Sequence, residues 1–353
     1  MADNNMLRTF DSTVLPIMTC CDKVLDILDN KIPVPNVAEF FITNFCNFRC
    51  RHCRCMKTLT EDKYAYMDLD FFSRVLKDLA GIGVKCVHLA GGGEPLIHPY
   101  IIDILKLIKN CNMKTAIYTN GYSFTESPEL IETALETCDS IRISLDAASE
   151  ATMKKVHGMD NISYSKLYNS LCRMISLRGR LPKIGLKMLI SKLNVSDIKE
   201  FVQQGVLMGA DYLQFRFLTF PKGLSLEPEE VKTLTTEISE YISLYSNCST
   251  QIEVVPSYES DSAAGKCLAS LLHTVIDYDG EVYICPFFET RKSSHRLGSL
   301  KTAGSFSDLW YSQEHLKVRE NIDYSKCVAN CQMLRYNKVI DFISSDGYRF
   351  DFI

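Results

Sequence analysis

The sequence predicts an α/β protein, a parallel sheet of six strand–helix units followed by a small C-terminal α+β region. Three observations carry that expectation. Short β-branched or aromatic runs alternate with longer helical patterns from residue 38 to about 220, as a parallel sheet with helical crossovers requires. The pattern changes after Pro221-Lys222-Gly223. The residue groups with chemical potential in the first half fall where strands end, which is where α/β folds keep their functional loops.

The expected strands are 38–43, 85–90, 114–119, 140–145, 184–190 and 212–218. Apolar residues at helical spacing predict helices over 69–81, 99–110, 127–137, 163–178 and 197–208, with Asp68 and Ser196 as N-caps. Periodicity alone does not decide whether such a sheet is open or curled. Ahead of it, Val24-Leu25-Asp26-Ile27-Leu28 suggests a short amphipathic helix that Pro33 and Pro35 stop. Behind it lie a helix from Pro228 to about Leu244, a strand at 252–255, a hairpin over 273–284 turning at Asp279-Gly280, and a helix from Ser305 to about Ile322 that holds the sole tryptophan, Trp310. This divides the chain into a lead-in (1–37), a strand–helix domain (38–222) and a C-terminal domain (223–353).

Composition narrows the function. The chain has 353 residues, 46% hydrophobic and 23% charged, with a net charge of −4 and no basic run. That argues against nucleic acid and against an anionic membrane surface as partners. No apolar run reaches membrane-spanning length, and the polar start from Met1 to Met6 leads into no signal-type apolar region, so the expected location is cytoplasmic. Fifteen cysteines would then not form a disulfide framework. Seven of them are patterned; the other eight (Cys20, Cys21, Cys55, Cys86, Cys111, Cys138, Cys172 and Cys248) are expected to act as small buried hydrophobes. Cys55, just past the first group, is also a candidate hydrogen donor.

Three motifs sit at strand ends. Cys46, Cys50 and Cys53 form a C-x3-C-x2-C array after the first strand. Three thiols in one loop can converge on an inorganic cluster, one ligand short of the four that a four-iron cluster normally takes; a structural zinc ion is the alternative. Gly91-Gly92-Gly93-Glu94-Pro95 follows the second strand. Its glycines let backbone approach a ligand closely, and its carboxylate can hold an ammonium group. No Gly-Lys-Ser/Thr follows to make it a phosphate loop. At the end of the fourth strand, Ser144 and Asp146 put a hydroxyl and a carboxylate on one side of the chain.

In this order and placement the three motifs resemble the radical S-adenosyl-L-methionine (radical SAM) superfamily over roughly residues 38–220. The resemblance implies that the sheet curls into a partial (β/α)6 TIM-like barrel, and that Cys46, Cys50 and Cys53 hold a 4Fe–4S cluster whose fourth iron is chelated by S-adenosyl-L-methionine. It implies that Glu94 with the Gly92–Gly93 backbone meets the methionyl amine, and that Ser144 and Asp146 meet the ribose or carboxylate end. It further implies reductive cleavage to a 5′-deoxyadenosyl radical that takes hydrogen from a substrate, fed by an electron donor such as flavodoxin or ferredoxin. The residue before the third cysteine, usually a bulky aromatic near adenine, is His52 here; its planar ring can still stack.

A second set, Cys267-x12-Gly280-x4-Cys285 with Cys327-x3-Cys331, offers four thiols. They can saturate one further cluster or a zinc ion. The pattern resembles the accessory SPASM domain of the same superfamily in its shorter, one-cluster "twitch" form, and so implies a second, auxiliary 4Fe–4S cluster. Arg216 and Lys187, near the ends of strands six and five, are the candidates to touch substrate, with Gln214 beside Arg216. No recognition module of winged-helix size precedes the cysteine loop. The expected substrate is therefore a small polar molecule (an aminocyclitol, sugar or nucleoside) that is oxidised or epimerised. The alternatives are a peptide to be epimerised or cross-linked, and a non-catalytic zinc or iron–sulfur protein.

Overall fold

The computed structural model describes residues 19–55, 64–255, 267–287, 292–324, 327 and 331–344. The reading of residues 1–6 lies outside them. Six parallel strands form the centre of the molecule: β1 (Val37–Phe41), β2 (Cys86–Ala90), β3 (Lys114–Thr119), β4 (Ser140–Ser144), β5 (Lys183–Ile190) and β6 (Tyr212–Phe217), neighbours in that order. They form the predicted partial barrel. After α1 (Cys21–Leu28), the helices between strands are α2 (Leu69–Gly81), α3 (Ile101–Asn110), α4 (Pro128–Thr137), α5 (Glu150–His157), α6 (Tyr164–Leu177) and α7 (Ile198–Met208).

Alternation along each strand separates two faces. Ile141 and Ile143 of β4, Leu186 and Met188 of β5, and Leu213 and Phe215 of β6 are buried in the main core with the helices. Glu39, His88, Tyr118, Arg142, Lys187 and Arg216 alternate with those rows and take the other, concave face. Asp68 caps α2 by accepting from Phe71 N at 2.8 Å, as expected. Ser196 does not cap α7; the N-cap is Asp197. Asp197 instead turns its carboxylate to Ala148 N (2.8 Å) and Thr152 Oγ1 (2.9 Å) at the start of α5, a helix that the alternation of strands and helices did not predict.

The C-terminal segment is stitched into the same sheet. After α8 (Pro228–Leu244), β7 (Gln251–Val254) adds in parallel to β6. At the far edge β8 (His273–Asp277) adds in parallel to β1, with β9 (Glu281–Tyr283) and β10 (Arg296–Ser299) antiparallel beyond it. The sheet therefore has ten strands in the order β10-β9-β8-β1-β2-β3-β4-β5-β6-β7 and runs through the composition change near residue 221. The hairpin turns at Gly280 as expected.

Beyond the short α9 (Lys292–His295), the single helix expected over 305–322 is two, α10 (Phe306–Trp310) and α11 (Gln313–Asn321), because Ser312 starts a new N-cap on His315 N. Trp310 is buried and donates to Pro33 O at 2.8 Å, and Phe306 N donates to Asp78 of α2 at 2.6 Å. The final helix is α12 (Gln332–Ser344). Of the eight unpatterned cysteines, Cys20, Cys55 and Cys138 are buried and Cys86, Cys111 and Cys172 half-buried. Cys21, at the first position of α1, and Cys248, in the turn that follows α8, are exposed, contrary to expectation. No helix among the described residues is long and apolar enough to cross a membrane.

Candidate active site

The cysteine loop leaves β1 and is clamped by α5. The last carbonyls of that helix need partners, and the loop supplies them: Arg49 N donates to His157 O and Arg51 N to Val156 O, both at 3.0 Å. Gly158 ends the helix in the left-handed region (φ 64°), where a Cβ would also lie 2.5 Å from Arg49 O. His157 is buried and bridges outward. Its Nε2 is 3.0 Å from Leu145 O, and its Nδ1 is 3.0 Å from Cys50 Sγ. Sequence reasoning missed His157 because it missed α5.

All seven patterned cysteines among the described residues are free thiols. Burial, and then the neighbouring thiols, push the Cys50 thiol well up; burial, with Glu94 and Cys53 adding, takes Cys46 to about 12. Burial takes Cys331 to about 12 as well, with Cys267, Cys285 and Cys327 all close enough to add to it. Burial likewise raises Cys267. Two knots of thiols are thus held where nearby positive charge does not offset the burial of the anionic form. Cationic iron supplies that charge and holds the sulfurs as thiolates. In both knots a backbone N–H two residues on points at sulfur: Phe48 N to Cys46 Sγ and Phe287 N to Cys285 Sγ, each 3.4 Å. Side chains add one polar contact each, His157 to Cys50 and Asn337 Nδ2 to Cys267 Sγ at 3.2 Å. This donor set fits iron–sulfur clusters. Arg54 of the first loop lies over the Phe287 ring at 4.1 Å, so the two cysteine regions are neighbours.

The glycine loop after β2 is pressed onto the cysteine loop. Glu94 N donates to Phe45 O at 2.8 Å, and a Cβ on Gly93 would stand 2.0 Å from that same oxygen. At Gly92 a Cβ would meet Phe41 at an ordinary 3.5 Å. The Glu94 carboxylate is buried and accepts from Leu96 N (3.0 Å), Asn120 N (2.7 Å) and Thr119 Oγ1. Burial nevertheless dominates these bonds and raises its pKa to about 7. A carboxylate in that state is stabilised by an arriving cation. Asn120 and Thr119, at the end of β3, are further site residues that sequence reasoning passed over. Asn120 also bonds Asn47 of the cysteine loop at 2.7 Å.

Ser144 is half-buried at the end of β4, opposite Lys187 of β5. Asp146 is buried with a positive φ of 54°, and its carboxylate is engaged by Leu189 N at 2.6 Å and by His52 Nε2 at 3.4 Å. Burial pushes its pKa up, but His52 and Lys187 outweigh burial and hold it below the ordinary carboxylate range. The buried His52 ring is thereby fixed beside the cysteine loop with Nδ1 unpartnered. Burial lowers the Lys187 pKa to about 8, with Asp146 and Cys50 opposing that fall. Arg216 donates to Gln214 at 3.2 Å, and Gln214 bonds Glu253 of β7. Arg142, not anticipated, stands over the Tyr118 ring at 3.7 Å. The structure therefore gathers Glu94, Ser144, Asp146, His52 and Lys187 around the first cysteine loop, with Arg216 further along the concave face.

Comparison with known proteins agrees with this geometry. The description "Radical SAM superfamily" matches residues 40–204, and "Iron-sulfur cluster-binding domain" (SPASM) matches residues 267–332. The chain belongs to the radical SAM superfamily. It is an S-adenosyl-L-methionine-dependent enzyme with a SPASM-type C-terminal domain, using a SAM-binding and an auxiliary 4Fe–4S cluster. It is 25% identical over 311 residues to a tungsten-containing aldehyde ferredoxin oxidoreductase cofactor-modifying protein of Pyrococcus furiosus, covering 81% of this chain and 84% of that one. It is 26% identical over 188 residues to PqqA peptide cyclase of Methylorubrum extorquens, covering 52% of this chain and 45% of that one. The fold matches Streptococcus suis SuiB bound to S-adenosylmethionine with a TM-score of 0.67 at 16% identity, over 98% of this chain and 81% of that one. SuiB bound to its precursor peptide SuiA matches with a TM-score of 0.66 at 15% identity, over 94% and 78%.

Proposed function

We propose that this radical SAM enzyme modifies a peptide, by cross-linking or epimerising it. The observation that carries this reading is the 188-residue sequence match to a peptide cyclase, in a chain that also has a SPASM domain. The fold shared with SuiB, a protein described with a precursor peptide, adds support. These relatives favour a peptide over the small polar substrate suggested by the sequence. The cofactor-modifying relative keeps a small-molecule reading as the second one.

When bound, the first cluster supplies the electron for reductive cleavage of S-adenosyl-L-methionine; a flavodoxin- or ferredoxin-type donor would replenish it. The chain's own residues do the rest. Cys46, Cys50 and Cys53 hold that cluster and leave one iron open, while Cys267, Cys285, Cys327 and Cys331 close the auxiliary one. Glu94 and the Gly92–Gly93 backbone receive the ammonium group, and Ser144 receives a ribose hydroxyl. Asp146 acts through His52, orienting its ring toward adenine. Lys187 and Arg216 give the concave face positive charge suited to a carboxylate. Incubation of the reconstituted enzyme with short peptides encoded beside its gene tests the reading. The expected result is peptide-dependent formation of 5′-deoxyadenosine with loss of two hydrogens from the peptide, or uptake of solvent deuterium at one α-carbon. Turnover with aminocyclitols, sugars or nucleosides and none with peptides would overturn it.

A further inference from the structure

Below the cysteine loop, the concave face carries a second group of metal-ligand side chains that the chemistry above does not use. Glu39 of β1, His88 of β2 and His273 of β8 each project one ligand atom, and these atoms lie within 4.8 Å of one another. The register explains the convergence. Glu39 pairs directly with His88, and His273 sits one β-pair away opposite Val37, on the same face of adjacent strands.

His273 is the anomalous member. It is 4% exposed, yet neither ring nitrogen has a hydrogen-bond partner among the described residues. Its Nε2 is 2.8 Å from Glu39 Oε2 but out of hydrogen-bonding alignment. A buried imidazole whose Nδ1 is unpartnered and whose ion pair to Glu39 is poorly aligned leaves its bonding capacity unfilled. The site also borders a cavity of about 120 Å³, lined by His88, His273, Tyr118, Asn36 and Tyr336 among others. That is room for several waters, and the buried Asn36 Oδ1 beside it is unpartnered too.

We propose that Glu39, His88 and His273 form a further metal site for one divalent first-row transition ion of the zinc or ferrous class. Two histidines and one carboxylate, with open positions facing a small, mostly apolar cavity, are a recurrent ligand set for such ions. Ligand–metal bonds of about 2.1 Å require only a modest inward shift of the three side chains. The Tyr118 hydroxyl lies 3.5 Å from His88 Nδ1, placed to orient that ring from behind. Arg142 is the opposing charge, and it is drawn onto the Tyr118 ring. Since β8 belongs to the C-terminal segment and β1 and β2 to the barrel, the ion would fasten one to the other.

Cobalt(II) is the probe. The enzyme with both clusters in place is dialysed against cobalt(II), and cobalt and iron are counted on each chain. Expected are about one cobalt per chain, an X-ray absorption spectrum with nitrogen and oxygen ligands only, and a rise in melting temperature. Glu39→Gln, His88→Asn and His273→Asn should each weaken cobalt binding at least tenfold with iron content unchanged. Absence of cobalt from the wild-type protein, or sulfur among its ligands, overturns the proposal, as does unchanged binding in those variants that keep their iron. The wild-type spectrum decides the question even where a variant fails to fold.

Discussion

Cys46, Cys50 and Cys53 come from eight consecutive residues of one loop, whereas Cys267, Cys285, Cys327 and Cys331 come from separate stretches of the C-terminal segment. The first loop is held by α5 below and the glycine loop beside it, through Arg49, Arg51 and Glu94 backbone bonds. The second set depends on β8 and β9 pairing and on Asn337 of α12 reaching Cys267. Yet the local device at sulfur is the same in both, an N–H from two residues on. The difference is thiol number and origin: a local loop that offers three, against a tertiary assembly that offers four.

The largest effect should come from replacing Cys46, Cys50 and Cys53 together with alanine. S-adenosyl-L-methionine cleavage should fall to background, and iron by about four per chain. Cleavage surviving in that variant would break the contrast between open and closed sites. Replacing the four C-terminal cysteines should remove a similar amount of iron while leaving uncoupled cleavage measurable and abolishing substrate conversion. Third comes Gly93→Ala. Its Cβ would sit 2.0 Å from Phe45 O, so the two loops must separate. The expected cost is about 2–4 kcal/mol of stability, read by urea denaturation, with impaired loading of the first cluster only.

Glu94 yields a pH signature of comparable size. Its pKa rises from 4.5 to about 7 on folding. In cluster-free protein the associated stability should be complete below pH 4.5 and decline by about 3 kcal/mol as pH rises through 7. Glu94→Gln should flatten that profile; an unchanged profile would show that another group sets it. The smallest effects should come from the side chains at sulfur. Removing either contact should cost about 1 kcal/mol. His157→Ala should slow cleavage, while Asn337→Ala should leave cleavage intact and lower coupling to product.

Much of this was legible in residue order. Six strand–helix alternations and the placement of Cys46, Glu94 and Ser144 at strand ends are written in local patterns of spacing and β-branching. The site's supporting residues were not. His157 stands on a helix squeezed between β4 and α6, and its role depends on Cys50 being brought across from another loop. Asp146 looked like a ligand-binding carboxylate, but its positive φ turns it to β5 and His52. Thr119 and Asn120 carry no mark of their own until Glu94 is placed beside them. The metal-site candidates Glu39, His88 and His273 fall on three strands whose adjacency only the register reveals.

The pairing of β8 with β1 also has a temporal side. Val37 faces His273 and Phe41 faces Asp277, so the first strand of the barrel waits for a partner made long after the other barrel strands. Until that partner leaves the ribosome, one edge of β1 presents unpaired backbone donors and acceptors to whatever is nearby. Contacts so distant in sequence also slow folding and lengthen the exposure of partly formed states. Truncation before residue 273 should therefore do more than remove the auxiliary cluster: it should leave a nascent barrel with an open, sticky edge.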